Sequence, residues 1–197
     1  MLVISTSTEA LSVALWDGDR LLASVHDVIG RGHAERLLPA IAEVTAGRRA
    51  GAIAVDCGPG SFTGVRVGIA AARGLGIAWG VPVAGFSSLP LLAAGAQVEG
   101  PFAIAIRGGH GEIFFQMFDG PPLRAMGDAR SLRPEAAAAL AEDRPVLGTG
   151  AAIVTGTARD AWPDARRWPA LPAAFRALPP RPLYGRPPDA KRPAGAA

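Results

Sequence analysis

Gly64, Gly68, Ala72, Gly76 and Gly80 recur at every fourth position, and between Val65 and Trp79 only Arg66 and Arg73 are polar. On a helix this spacing lines small residues along one face, where a second backbone can approach closely. Glycine in a helix costs up to about 1 kcal/mol against alanine, so packing must compensate at Gly68, Gly74 and Gly76. A different stripe carries Arg66, Ala70, Arg73 and Ile77. A helix apolar nearly all round is buried. Two readings fit: an internal helix with two snorkelling arginines, or a helix half exposed in the monomer and covered by a partner. We favour the second.

The segment before this helix, Cys57-Gly58-Pro59-Gly60-Ser61-Phe62-Thr63-Gly64-Val65-Arg66, is a turn in which Gly58 and Gly60 permit close approaches and Pro59 stiffens the chain. Ser61 or Thr63 can cap the helix, and a helix start of this kind can hold an anion. The spacing Gly-x-Gly-x-x-x-Gly is one residue too long for a dinucleotide fingerprint, and no lysine follows Gly64 as a phosphate-binding loop requires. Ser61 directly follows Gly60, which excludes a hydrolase elbow.

The rest of the chain alternates between strand and helix patterns. Leu2 to Ile4, Leu11 to Leu15 and Leu21 to Val25 read as strands, with Asp17-Gly18-Asp19 as a hairpin turn. His33 to Ala46 has helical spacing, interrupted by Pro39. Ala52 to Val55 and Val81 to Phe86 read as buried strands, and Ser87 or Ser88 can cap a short helix. Phe102 to Ile106 and Ile113 to Phe118 are strands with Asp119-Gly120 as their turn; an Ala-rich helix to Glu142 and a strand from Val146 to Thr149 follow. A shift of 102 residues places Ile4 on Ile106, Val13 on Phe115 and Asp17-Gly18 on Asp119-Gly120, which indicates an internal duplication.

Composition narrows the function classes. Hydrophobic residues make up 49% of 197, enough for a sizeable core. One cysteine, Cys57, excludes an internal disulfide framework and a Cys-rich zinc site. No charge occurs from Gly74 to Val98, but the glycines and prolines there read as helix, turn and buried strand rather than a membrane span. The amino terminus lacks a basic-then-apolar signal, so the cytoplasm is expected. The net charge of +3 is concentrated after Arg159, where half of the 18 prolines also lie. Such a tail is either a solvated terminus or a surface for RNA.

Four stretches carry a family resemblance. Ile4-Ser5-Thr6-Ser7-Thr8 with Ser12-Val13-Ala14-Leu15 resembles the opening motif of the TsaB (YeaZ) family, and His33 to Pro39 its first-helix motif. Gly58-Pro59-Gly60-Ser61-Phe62-Thr63-Gly64-Val65-Arg66-Val67-Gly68 is similar to its signature, and Pro182 to Lys191 to its C-terminal motif. The resemblance implies an α/β fold of the actin/Hsp70-like kind, duplicated into two small lobes, each a mixed sheet flanked by helices. It implies a non-catalytic partner for a larger paralogue, TsaD, which makes N6-threonylcarbamoyladenosine beside the tRNA anticodon. It also implies that a small ATPase, TsaE, joins the assembly. No cofactor is then expected on this chain alone; ATP and metal belong to the partner subunits. Free of its partner, the chain is expected to be able to form a homodimer.

Departures from the family pattern bear on activity. That pattern places Asp at positions 5 and 107, where this chain has Ser5 and Arg107, so no carboxylate pair is left to organise magnesium. The metal-binding histidine pair of the paralogue falls on Ser88 and Leu92, and His26, His33 and His110 are scattered. We therefore expect no catalytic and no metal-binding residue. The alternative is an independent ATP-dependent phosphotransferase or hydrolase of the same superfamily. The expected domains are a partner-binding lobe over residues 1–100, a smaller lobe over 101–180 and a Pro/Arg-rich tail over 181–197. The expected partner surface comprises His33, Leu37 and Ile41 with Arg66, Ala70, Arg73 and Ile77. Transfer RNA is expected to be met indirectly or through the basic tail.

Overall fold

The computed structural model describes residues 1–184; the basic tail beyond Tyr184 and the rest of the C-terminal motif, through Lys191, lie outside the described residues. Strands β1 (Leu2–Ser5), β2 (Ala10–Asp17), β3 (Arg20–Val28), β4 (Ile53–Asp56) and β5 (Val83–Phe86) form one sheet in the order β3-β2-β1-β4-β5. β1 runs antiparallel to β2 and parallel to β4, and β4 is parallel to β5. β1 and β4 are covered on both faces, hence their apolar runs Leu2-Val3-Ile4 and Ile53-Ala54-Val55 before the terminal Ser5 and Asp56. Asp17 pairs with Arg20 across the tight turn, where Gly18 takes a left-handed φ of 55°.

Helices α1 (His33–Thr45) and α2 (Phe62–Trp79) cover one face of this sheet. Leu2, Ile4, Val13, Leu37, Ile41, Val44, Val65 and Ile69 form their shared core. Pro39 sits inside α1 without ending it. The small-residue row of α2 faces inward. A Cβ on Gly64 would collide with the Thr6 carbonyl, one on Gly68 with the Thr6 hydroxyl and one on Gly76 with Val83. The close approach that the spacing demanded is therefore made within this chain.

After α3 (Ser88–Gly95) come β6 (Gly100–Arg107), β7 (Ile113–Gly120), β8 (Arg124–Ala125), β9 (Arg130–Leu132), α4 (Pro134–Ala141), β10 (Val146–Leu147) and α5 (Ala151–Thr155). The second sheet has the order β10-β6-β7-β8, with β9 also on β7. β6 is antiparallel to β7 and parallel to β10, repeating the relation of β1 to β2 and β4. Asp119 and Gly120 extend β7, so the turn after it falls on the following prolines rather than on Asp119-Gly120.

The duplication is real in topology, but a single shift of 102 residues does not describe it. Ile4 pairs with Val13 on the face of the first sheet covered by α1 and α2, and Ala105 pairs with Phe115 on the face of the second covered by α4 and α5. β6 is thus offset by one residue from the shift that relates β2 to β7. Because strand side chains alternate, that one residue puts Ser5 and Arg107 on non-equivalent faces. Ser5 bonds toward β4, whereas Arg107 donates to the Thr149 carbonyl at 3.3 Å.

The lobes share more than the sequence indicated. α3 lies between the sheets, with Leu91 in the core of the first and Leu89 and Leu92 in the core of the second. Residues 165–184 return to the first lobe, which corrects the expected boundary at 180. Trp168 packs 5.5 Å from Phe86 between ring centroids, and Leu178 pairs with Gly85 at the edge of β5. The cause is the inner face of β1, β2 and β5, where Val3, Ala14, Trp16 and Phe86 need cover that α3 alone does not supply.

Candidate functional site

The signature loop is held from four sides. Asp56, the last residue of β4, is fully buried, and its Oδ1 accepts the Gly58 N–H at 2.8 Å. Its Oδ2 accepts the hydroxyls of Ser5 at 2.7 Å and Ser7 at 2.6 Å. Ser7 in turn accepts the Ser61 N–H on its carbonyl, and Ser88 at the start of α3 donates to the Pro59 carbonyl at 2.6 Å. Leu183 donates its N–H to the Cys57 carbonyl at 2.8 Å. Gly60 is required because a Cβ there would strike the Ser7 carbonyl. Ser61 caps α2 by accepting the Gly64 N–H, as its position before the helix led us to expect. Thr63 lies inside α2 instead.

Asp56 was not among the residues the sequence singled out. The available signal was a lone acid ending an apolar run immediately before a glycine-rich turn. Burial raises its pKa from 3.8 to about 6, a rise opposed by the Ser7, Ser5 and Gly58 donors and, least, by the nearby Ser88 hydroxyl. With both oxygens occupied and no exposure, it has no lone pair directed at solvent. Cys57, beside it, is equally unavailable as a nucleophile: burial first, then the Asp56 charge, raises its thiol to about 12.

On the outer side of α2, Phe62, Arg66, Ala70, Arg73 and Ile77 are exposed, Ile77 at 85% and Phe62 at 58%. The expected stripe therefore exists as one surface. Its two arginines do not point freely outward. The Arg66 guanidinium lies 3.6 Å from the Phe62 ring centroid and donates to the Tyr184 hydroxyl at 2.8 Å. Arg73 donates to the Pro180 carbonyl at 2.6 Å. The returning C-terminal segment is thereby latched along one flank of the stripe.

The α1 half of the expected surface needs correction. His33, Leu37 and Ile41 are buried, Leu37 to 1%, and all three point toward the sheet. They mark the apolar face of an amphipathic helix, which packs inward; the residues α1 presents outward are Ala34, Glu35, Leu38, Pro39, Ala42 and Glu43.

A cleft of about 890 Å³ separates the lobes, lined by Arg31, Arg66 and Tyr184 on one side and by Arg107, His110 and Glu112 on the other. Ser5 does not line it; Ser7 does. Among the described residues no three His, Cys, Asp or Glu side chains converge as a metal site, and no helix is long and apolar enough to cross a membrane. Ser88 and Leu92 are buried in the contacts described above.

Comparison with known proteins agrees with this architecture. A family profile described as TsaD: tRNA N6-adenosine threonylcarbamoyltransferase matches residues 25–127. The tRNA threonylcarbamoyladenosine biosynthesis protein TsaB of Escherichia coli K12 is 34% identical over 175 residues, covering 83% of this chain and 74% of that protein. TsaB of Bacillus subtilis 168 is 30% identical over 160 residues, covering 76% and 70%. The solved structure of YeaZ from Pseudomonas aeruginosa superposes with a TM-score of 0.77 at 32% identity, covering 93% of this chain and 98% of that one. The fold is thus the duplicated actin-like one. The glycine-rich signature, the two-lobed sheet topology and these relatives agree, and the chain belongs to the TsaB (YeaZ) family.

Proposed function

We propose that this chain is a non-catalytic subunit of the machinery that makes threonylcarbamoyladenosine in tRNA, and that it acts by docking onto a TsaD-type threonylcarbamoyltransferase. The observation that carries the reading is the outer stripe of α2: on a helix whose small-residue face packs inward, Ala70 stands exposed between Arg66 and Arg73, and Ile77 stands exposed beyond Arg73. Exposed apolar surface rimmed by polar groups marks a contact site. The relatives named for threonylcarbamoyladenosine biosynthesis supply the reaction in which such a subunit works.

The chemistry of the chain fits a supporting role. A reaction centre of the actin-like kind needs carboxylates that can reach a magnesium ion. Here position 5 is a serine, position 107 is an arginine, and Asp56 is occupied by three donors. ATP and metal accordingly belong to the transferase and to a TsaE-type ATPase that joins the assembly in the cytoplasm. The tRNA is met through these partners or through the basic tail. Without them, the same α2 stripe supports a homodimer.

Size-exclusion chromatography with light scattering, on this chain mixed with the TsaD-type paralogue from the same cell, tests the reading. A stable one-to-one peak is expected; two separate peaks together with ATP turnover by the isolated chain would replace it with an independent enzyme.

A further inference from the structure

Asp56 is a buried carboxylate that the docking stripe does not use, and its place in the hydrogen-bond network is specific. Its donors come from two sides, Ser5 at the end of β1 with Ser7 in the β1–β2 connection, and Gly58 in the signature loop. Those two loops together hold the first turn of α2. The Ser7 carbonyl accepts the Ser61 N–H at 2.6 Å, and the Thr6 hydroxyl donates to the Gly64 carbonyl at 2.7 Å. Backbone packing is so close there that neither Gly60 nor Gly64 could carry a Cβ. Among the described residues Asp56 makes no ion pair, so hydrogen bonds alone compensate its burial. A neutral side chain there would avoid that cost but could not accept from three donors on two sides at once.

We propose that Asp56 is a positioning residue for docking: its carboxylate clamps the β1–β2 connection to the signature loop and so fixes the start of the partner-facing helix, where Phe62 and Arg66 lie. This rests on the docking role proposed above. It also assigns a specific partnership to Ser5. β1 and β4 are parallel neighbours with Ile4 beside Val55, so Ser5 and Asp56 sit side by side at the strand ends. Exchanging the two side chains keeps one carboxylate and one hydroxyl at this pair of neighbouring strand ends.

The test is a titration of the TsaD-type paralogue with wild type, Asp56→Asn, Asp56→Ser and the exchange variant Ser5→Asp/Asp56→Ser. Amide hydrogen exchange of the free chain is read in parallel. Asp56→Asn and Asp56→Ser are expected to weaken docking by about tenfold or more, since each leaves buried donors unsatisfied. They should also speed exchange at Gly58, Ser61 and Gly64 while the circular dichroism stays native. The exchange variant is expected to recover most of the affinity and the slow exchange. Wild-type affinity in Asp56→Asn, or an exchange variant no better than Asp56→Ser, would overturn the proposal. If Asp56→Ser does not fold, folding of the exchange variant is the rescue expected, and its failure to fold counts against the clamp. If wild type itself does not bind, the docking role fails; the clamp is then judged by hydrogen exchange alone, and unchanged exchange in Asp56→Asn overturns it.

Discussion

At the scale of single residues, Asp56 governs an unusual dependence on pH. Its pKa rises on folding from 3.8 to about 6, chiefly through burial. The folded chain therefore binds the proton more readily than the unfolded chain. Its contribution to stability is largest at low pH and falls as pH rises through that window. His26, 3.8 Å from Asp164, works in the opposite direction, because burial lowers its pKa and charging it opposes folding below its ordinary value of 6.5. Comparing wild type with Asp56→Asn cancels the His26 contribution. The melting temperature of wild type relative to the variant should be higher at about pH 4 than at about pH 7. Equal differences at both pH values would mean that Asp56 titrates alike in both states. Its importance was hidden in the sequence because Asp56 lies 51 residues from Ser5 and 49 from Ser7, and no local pattern pairs them.

At the scale of elements, α1 and α2 divide the expected partner surface by their orientation. Helical periodicity identifies an apolar stripe but not whether it meets the sheet or another protein. On α1 the stripe His33, Leu37, Ile41 is the inner face; on α2 the inner face is the row of small residues, which leaves Ala70 and Ile77 outside. The two helices should therefore respond differently to substitution. Leu37→Ala removes a buried side chain and should cost about 2–5 kcal/mol of stability by denaturant unfolding, with the affinity of the folded fraction unchanged. Ala70→Glu should leave the unfolding midpoint nearly unchanged and abolish the heterodimer peak. If Ala70→Glu docks normally, the α2 stripe is not the contact.

At the scale of the whole molecule, the chain closes on itself. The segment from Ala165 to Tyr184 covers the inner face of the first sheet, pairs with β5 and latches onto Arg73 and Arg66. Gly85 makes this possible, since a Cβ there would run into Cys57 and the Leu178 and Pro179 carbonyls. Gly85→Ala is expected to lift the segment, seen as faster amide exchange at Leu178 and Leu183 without loss of the second lobe. Unchanged exchange would mean that Cys57 yields instead. Alternation and helical spacing are local properties, so β1 to β7, α1 to α4, the existence of a repeat and the signature loop were legible in the sequence by itself, whereas the short β8, β9 and α5 were not. Three matters depended on contacts between distant segments: the one-residue offset that separates Ser5 from Arg107, the inward turn of His33, Leu37 and Ile41, and the return of the C-terminal segment. Each is a choice between faces that only packing makes, because a strand or helix viewed alone has no inside until another element covers it.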